Sequence, residues 1–346
     1  MVRPMNYLAV AVCLSFASSA PADTLQGVTQ VMAASGYLWL LEEKGALSHL
    51  DLSTRTLVRD SAAGNVVDLS TGPTGRLRAL TVRGGRTLIV EWQDAWRTVA
   101  TLPTTPADTS FALAMFGPRS AVLTTAAVIV EVQDGSWRRR AIKSESRFGS
   151  LQPSAAWTSD GILYIGANYG EWGGNLWRVS LATGRVTEVV SRKKGEPVKG
   201  PFNPGLNPVT AVVRDPADGR CILAAIGLSH MMWDGRILRV CGDSLAVVFQ
   251  ESCPLDPGSD PKFQRLCSVP VFGLADGKDG VWAVTPLAAL RFDHDTVAER
   301  HPLPKLEDMG SVLVSREIPG VLLVATAINW RASLSGMTPL IAVVNE

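Results

Sequence analysis

The chain has 346 residues, and its 33 Lys and Arg residues nearly balance its 32 Asp and Glu residues, so the formal net charge is +1. A balance of this kind excludes the chain-wide basic character that nucleic-acid binding requires. After the N-terminal region, no segment reaches the roughly 20 consecutive apolar residues of a membrane span.

The N-terminal segment has the organisation of a secretory signal peptide. Arg3 precedes an apolar run from Leu8 to Ala17, and small residues follow in SSAPAD. Cleavage after Ala22 would make Asp23 the first mature residue. We therefore predict a signal peptide over residues 1–22 and a neutral mature protein outside the cytoplasm, either periplasmic or secreted.

Short turns that lead into apolar strands recur along the rest of the chain. Most are separated by about 40 residues, and the two longer intervals contain the insertions SRKKGEPVKGPFNPG and ESCPLDPGSDPKFQRLC. A repeat of this length with four short antiparallel strands is typical of a β-propeller blade. The sequence predicts an all-β, single β-propeller over residues 23–346, with about seven four-stranded blades and six as the alternative. The turns that define the repeat are at Gly36, Gly75, Arg119, Gly161, Gly219, Gly280 and Gly320.

The ends of the chain suggest how the ring closes. The last unit ends on LIAVVNE without an obvious fourth strand, whereas residues 23–26 precede the first unit. We expect the N-terminal residues to supply a short outer strand to the last blade, so that both termini share one blade.

One unit, DGKDGVWAVTPLAALRFD, resembles a blade of the periplasmic sensor propellers attached to two-component regulators. In both, a turn, a Trp-containing strand and a short hairpin follow one another. More broadly, the chain resembles bacterial extracytoplasmic β-propellers. The resemblance implies a fold and a compartment but no specific function, because propellers host many unrelated activities.

Three predicted loops between second and third strands are longer than the others, and each contains a tryptophan: NYGEWGG, GLSHMMWDG and INWRASLSGMTP. Equivalent connections emerge on one face of a propeller, where aromatic side chains suit sugars, peptides and other partly apolar ligands. The alternative is that these tryptophans fold back and cap the strand ends. The predicted ligand-binding residues are Tyr169, Glu171, Trp172, His230, Met231, Trp233, Asn329, Trp330 and Arg331.

Six further tryptophans are predicted to pack between blades, because they lie in apolar strands or at matching hairpin positions. They are Trp39, Trp92, Trp96, Trp137, Trp177 and Trp282.

Cysteine use fits an exported protein, because four cysteines remain once Cys13 leaves with the signal peptide. Cys221 and Cys241 lie about equally far from the centre of one predicted hairpin, and Cys253 and Cys267 bracket a Pro-rich insertion. We predict the disulfides 221–241 and 253–267. A metal site is the poorer alternative, since the sequence contains no Cys-x-x-Cys.

The sequence contains no Gly-x-Ser-x-Gly, no His-Glu-x-x-His, no Gly-rich phosphate loop and no complete calcium loop. We therefore predict a monomeric, noncatalytic propeller without metal or cofactor that binds a glycan, a peptide or a partner protein. The alternative is a lyase or hydrolase acting on a glycan or lactone. It would use His230 as acid or base together with carboxylates such as Glu171 and Asp234.

Overall fold

A computed structural model of the protein describes most of the chain, and most of the described part is β-strand. Its only helical segment is one 3-10 turn at Gly170–Trp172. The described residues are 28–42, 44–51, 54, 56–71, 76–105, 108–143, 153–189, 200–204, 206–230, 232–254, 267–277, 280–303, 312–315, 321–326 and 341–345.

The first three blades are four-stranded antiparallel sheets whose strands follow chain order. Blade 1 contains β1 (Val28–Ala34), β2 (Tyr37–Glu42), β3 (Leu47–Asp51) and β4 (Leu57–Asp60). Blade 2 contains β5 (Asn65–Thr71), β6 (Leu77–Arg83), β7 (Arg86–Trp92) and β8 (Trp96–Thr101). Blade 3 contains β9 (Ser110–Phe116), β10 (Arg119–Thr124), β11 (Ala127–Glu131) and β12 (Trp137–Ala141).

The next three blades repeat this order, and a three-stranded sheet follows them. Blade 4 contains β13 (Pro153–Trp157), β14 (Ile162–Asn168), β15 (Gly174–Ser180) and β16 (Val186–Glu188). Blade 5 contains β17 (Val209–Arg214), β18 (Ile222–His230), β19 (Met232–Cys241) and β20 (Ser244–Phe249). Blade 6 contains β21 (Gly273–Gly277), β22 (Gly280–Val284), β23 (Ala288–Asp293) and β24 (Thr296–Pro302). The closing sheet contains β25 (Val312–Ser315), β26 (Val321–Thr326) and β27 (Ile341–Asn345).

The first strand of each sheet lies against the first strand of the next, and β25 of the closing sheet contacts both β21 and β1. The sheets therefore form a ring, which is the architecture of a β-propeller. The prediction of seven four-stranded blades is wrong, because the described strands form six four-stranded blades, the stated alternative, and one sheet of three strands. Apolar strands that follow turns could be counted in the sequence, whereas outer strands have no comparable signal.

The predicted closing strand at residues 23–26 lies outside the described residues, so the shared-blade closure stays a prediction.

The core lies between blades. The second and third strands are buried on both faces, which explains why they read as continuous apolar runs such as YLWLLE. Separate apolar clusters fill the successive interfaces from blades 1 and 2 to blades 5 and 6.

The tryptophans predicted to pack between blades do so. Trp39, Trp177 and Trp282 are among the largest fully buried side chains. Trp92, Trp96 and Trp137 are half-buried against the same interfaces.

Side chains near the innermost strands also join neighbouring blades through hydrogen bonds to backbone groups. The contacts are Gln30 Nε2 to Leu69 O (2.8 Å), Leu113 N to Asp68 Oδ2 (2.6 Å), Val212 N to Ser154 Oγ (2.7 Å) and Thr210 Oγ1 to Val271 O (2.6 Å).

Both predicted disulfides are confirmed. Cys221 and Cys241 flank the paired residues Ile222 and Val240, and their Cα atoms are 4.5 Å apart, as in opposing residues of an antiparallel ladder. The Cα atoms of Cys253 and Cys267 are 5.5 Å apart. Within the described ranges, no helix is long and apolar enough to span a bilayer.

Candidate functional site

The two faces of the ring carry different connections. Turns between first and second strands and between third and fourth strands lie on one face, here called the lower face. Connections between second and third strands, and from one blade to the next, lie on the opposite face, here called the upper face. The candidate site occupies the upper face of blades 4–6.

In blade 4, the upper connection from β14 to β15 presents a tryptophan to solvent. The backbone N–H of Gly170 donates to Asn168 Oδ1 at 2.8 Å, and that of Tyr169 donates to Gly173 O at 2.9 Å. The glycines at 170 and 173 take positive φ values of 61° and 83°, which allow the tight turn. At its end, Trp172 is 78% exposed.

The base of this turn is anchored in the protein. Tyr169 is half-buried and packs on the core shared by blades 3 and 4, and burial raises the pKa of its hydroxyl. Glu171 is exposed. The base of the loop is therefore partly buried and its tip is exposed. Trp172 does not fold back onto the strand ends.

In blade 5, the hairpin of β18 and β19 stays paired up to His230 and Met232. Trp233 lies opposite Ser229, is half-buried, and accepts the backbone N–H of Ser268 on its carbonyl oxygen at 3.1 Å. The 3-10 turn of blade 4 contacts β18. The upper connections of blades 4 and 5 therefore lie next to each other.

The hairpins of blades 4 and 5 hold equivalent positions, and each packs closely against the following blade. A Cβ on Gly174 would stand 2.8 Å from Pro208 Cα of blade 5. A Cβ on Gly235 would stand 2.3 Å from Pro270 Cα, at the start of blade 6. The stretch EWGGNLWRV of blade 4 aligns with MWDGRILRV of blade 5, with Gly174 matching Gly235, and the close approaches show that the aligned glycines hold equivalent positions in the two hairpins. The local conformations differ, since Trp172 ends a 3-10 turn and lies beside blade 5, whereas Trp233 lies in a strand.

Asp234 is the polar centre of this region. Its Oδ2 accepts a hydrogen bond from Asn207 Nδ2 at 2.7 Å, and its Oδ1 accepts one from Ser268 Oγ at 3.1 Å. Arg236 pairs with the same carboxylate and donates to Pro201 O at 3.1 Å. The carboxylate thus ties the blade 5 hairpin to the segments before and after it.

Two exposed leucines extend the apolar surface. Leu206, 60% exposed, lies in the segment between blades 4 and 5, and the N–H of Gly174 donates to Pro204 O in that segment at 2.9 Å. Leu287, 37% exposed, lies in the upper connection of blade 6. The other exposed large apolar side chains of the described residues, Val58, Val99 and Val247, lie on outer strands.

The structure describes the predicted site only in part. Tyr169, Glu171 and Trp172 lie in the upper connection of blade 4, next to the blade 5 hairpin that contains Trp233. His230 is the last residue of β18, and its side chain is not among the described parts of the structure. Met231, Asn329, Trp330 and Arg331 lie outside the described residues. We did not predict Leu206, Asn207, Ser268 or Leu287 from the sequence, although a single leucine within the Pro-, Gly- and Asn-rich NPGLNP is a usable signal for an exposed apolar tip.

Among the residues that the structure describes, no group of three or more His, Cys, Asp or Glu side chains could hold a metal ion.

Neither a protein-family model nor a curated protein matches the sequence. Solved structures do share its fold. A catalytically inactive virginiamycin B lyase from Staphylococcus aureus with quinupristin superimposes with a TM-score of 0.55 at 13% identity, covering 94% of this chain and 97% of that one. YCF48 from Cyanidioschyzon merolae gives 0.53 at 12% identity, covering 93% and 96%.

A structure described as YCF48 bound to D1 peptide gives a TM-score of 0.56 at 9% identity, covering 94% of both chains. At these identities the similarity establishes the fold alone. The chain is therefore a β-propeller.

Proposed function

We propose that this protein is a noncatalytic binding propeller that holds a glycan, a peptide or a partner protein on the upper face of blades 4–6. One observation carries the proposal. Outside the outer strands, the exposed large apolar side chains of the described residues are Trp172 of blade 4, Leu206 between blades 4 and 5, and Leu287 of blade 6, and all three lie on that face. A ligand that covers them removes apolar surface from water, worth about 25 cal/mol per Å².

The local rigidity of the surface supports the same function. Trp172 and Leu206 are carried by loops joined through Gly174 and Pro204, and Asp234 ties the next hairpin to its surroundings. A preorganised surface loses little conformational entropy when it binds, so more of the contact energy contributes to affinity.

The partners of Asp234 favour binding over the enzymatic alternative. Its carboxylate accepts hydrogen bonds from a side-chain amide and a hydroxyl and pairs with a guanidinium. These contacts give the carboxylate a structural role. The fold accommodates both classes of activity, since one structural neighbour is a lyase and another holds a peptide.

We propose that binding takes place outside the cytoplasm. The predicted signal peptide and the two disulfides both fit an oxidising compartment.

The test is a thermal-shift screen of glycans and peptides, followed by calorimetric titration of each hit. Trp172→Ala combined with Leu206→Ser should weaken the authentic ligand by at least about tenfold, or 1.4 kcal/mol. Val99→Ser combined with Val247→Ser, which removes exposed apolar side chains from outer strands, is the matched control. An equal loss of affinity in both double variants, or no loss in either, would show that the ligand binds elsewhere.

A further inference from the structure

The outer strand of blade 3 carries three consecutive arginines with different surroundings. The side chain of Arg139 turns towards the buried carboxylate of Asp108, and Nη2 and Oδ2 are 3.0 Å apart. Arg138 and Arg140 alternate with it along β12, so they lie on the other face of the strand. The central arginine has a structural role, and the flanking two are exposed.

Arg138 and Arg140 face blade 4. Their cross-strand partners, Val130 and Val128, belong to the core shared by blades 3 and 4, and such partners lie on the same side of a sheet. The Cβ of Arg140 is 3.4 Å from where a Cβ on Gly184 of blade 4 would stand. Arg138 interacts electrostatically with the exposed carboxylate of Asp134, and hydrogen bonds from Ser136 together with this charge lower the pKa of that group.

Two further cations are held beside them. The N–H of Lys143 donates to Gly184 O at 3.0 Å, and the N–H of Val186 donates to Lys143 O at 2.9 Å. This parallel bridge places Lys143 directly opposite Arg185, and both are exposed. Like charges in this position are destabilising unless an anion neutralises them.

Among the described residues, no strand pairs with the outer edge of β12 at Trp137 and Arg139. Beyond them, the backbone of Gly184 in blade 4 lies against Ala141 O, and Lys143 is bonded to blade 4. The backbone N–H of Val132 donates to Ser136 O at 2.9 Å, and that of Ile142 donates to Ala126 O at 2.8 Å. These hydrogen bonds determine which residues of β12 direct their backbone groups towards β11. The pattern directs the backbone groups of residues 137, 139 and 141 outward, away from β11. A strand added there would place alternate side chains beside Arg138 and Arg140, about 7 Å apart.

We propose that this cationic edge, defined as the outer backbone edge at Trp137 and Arg139 with the side chains of Arg138, Arg140, Lys143 and Arg185, binds an acidic segment of a partner protein by strand addition. Carboxylates at alternate positions of the added strand would neutralise the cations, while its backbone would pair with the open edge. A polypeptide is favoured over an anionic glycan because only a polypeptide supplies N–H and C=O groups at the spacing of the edge. This surface is separate from the upper face.

The test uses a labelled, end-capped peptide of alternating Glu and Thr, with binding to the purified protein measured by fluorescence anisotropy. Arg138→Ser combined with Arg140→Ser should weaken binding by at least about tenfold. Arg59→Ser combined with Arg97→Ser removes arginines from the outer strands of blades 1 and 2 and should leave affinity unchanged. Matching melting curves for the three proteins establish that both variants fold.

A second peptide separates strand addition from general charge attraction. The same sequence with N-methyl groups on alternate backbone nitrogens keeps every carboxylate but cannot complete the ladder, so it should bind weakly. Equal binding of the methylated peptide, or of dextran sulfate at the same charge concentration, would overturn strand addition in favour of nonspecific polyanion binding. Absence of binding by the unmodified peptide would overturn the proposal outright.

Discussion

Single residues determine how closely the blades approach one another on the upper face. Gly235 lies so close to blade 6 that an added Cβ would stand 2.0 Å from Val269 O and 2.3 Å from Pro270 Cα. Those neighbours are backbone atoms, which cannot rotate away as a side-chain end can. The glycine therefore permits the contact that places Trp233 and Asp234 beside Ser268.

Gly235→Ala should lower the free energy of unfolding by about 1–3 kcal/mol, as overpacking typically does, and should weaken ligand binding as well. Gly219→Ala is the matched control, because the nearest atom to its Cβ position is 3.5 Å away. Urea denaturation of the two variants measures the difference. Equal stability of both would mean that the hairpin of blade 5 can move away from blade 6 without cost.

A partly buried carboxyl group near the centre of the ring makes stability depend on pH. Asp68 accepts the backbone N–H of Leu69 at 2.9 Å and that of Leu113, in the next blade, at 2.6 Å. Burial nevertheless raises the pKa of Asp68 to about 7, from its ordinary value of 3.8. The folded protein therefore keeps this proton at pH values where the unfolded chain has lost it.

The free energy of unfolding should consequently decrease as pH rises from about 4 to about 7, because over this interval the folded state binds more protons than the unfolded state. Asp68→Asn cannot ionise and should lack this slope, apart from contributions of other groups. Denaturation of both proteins across that pH range supplies the comparison. A decrease of the same steepness in the variant would assign the effect to other residues.

At the scale of elements, the sequence predicts a strand well when both faces of the strand are buried, and less well when one face is exposed. Second and third strands such as β2 and β11 are largely continuous apolar runs because they lie between two blades. Outer strands lack this signal, and β16 has only three residues, Val186–Glu188. This is why the turn count led to seven four-stranded blades.

Loop conformation was less predictable than strand register for a related reason. Trp172 and Trp233 align in sequence, yet one ends a 3-10 turn and the other continues a strand. The difference depends on Gly170, which takes a positive φ, and on contacts with Ser268, which is distant in sequence. Leu206 joins the site through a backbone bond between Gly174 and Pro204, which no local pattern indicates.

The two disulfides should have different effects on binding, although both involve the neighbourhood of blade 5. Ser268, adjacent to Cys267, donates through its hydroxyl to Asp234 and accepts the N–H of Gly235 at 2.9 Å. Replacing both Cys253 and Cys267 by serine should therefore loosen the upper face and weaken ligand binding.

The control is the double replacement of Cys221 and Cys241, at the lower end of the same hairpin, which should cost about 3 kcal/mol of stability and leave affinity unchanged. Calorimetric titration of both variants with the same ligand measures how each disulfide affects affinity. If the lower disulfide proved equally important for binding, the effect would be global rather than local to the upper face.

At the scale of the whole molecule, the ring provides a rigid support on which two different surfaces are displayed. Each core cluster is shared by neighbouring blades, and side chains near the inner strands bond to the backbone of the following blade. The upper face of blades 4–6 is apolar at its exposed tips, whereas the outer rim of blades 3 and 4 is cationic. We propose that these two surfaces serve two kinds of recognition, which are separated in space.

The most direct test of a binding surface on the upper face is a crystal structure of the protein with the tightest ligand from the screen. We predict that the ligand lies on blades 4–6 and covers Trp172 and Leu206, with the backbone of the ring unchanged. A ligand seated in the central channel or on the lower face, with Trp172 still exposed to solvent, would contradict the proposed function.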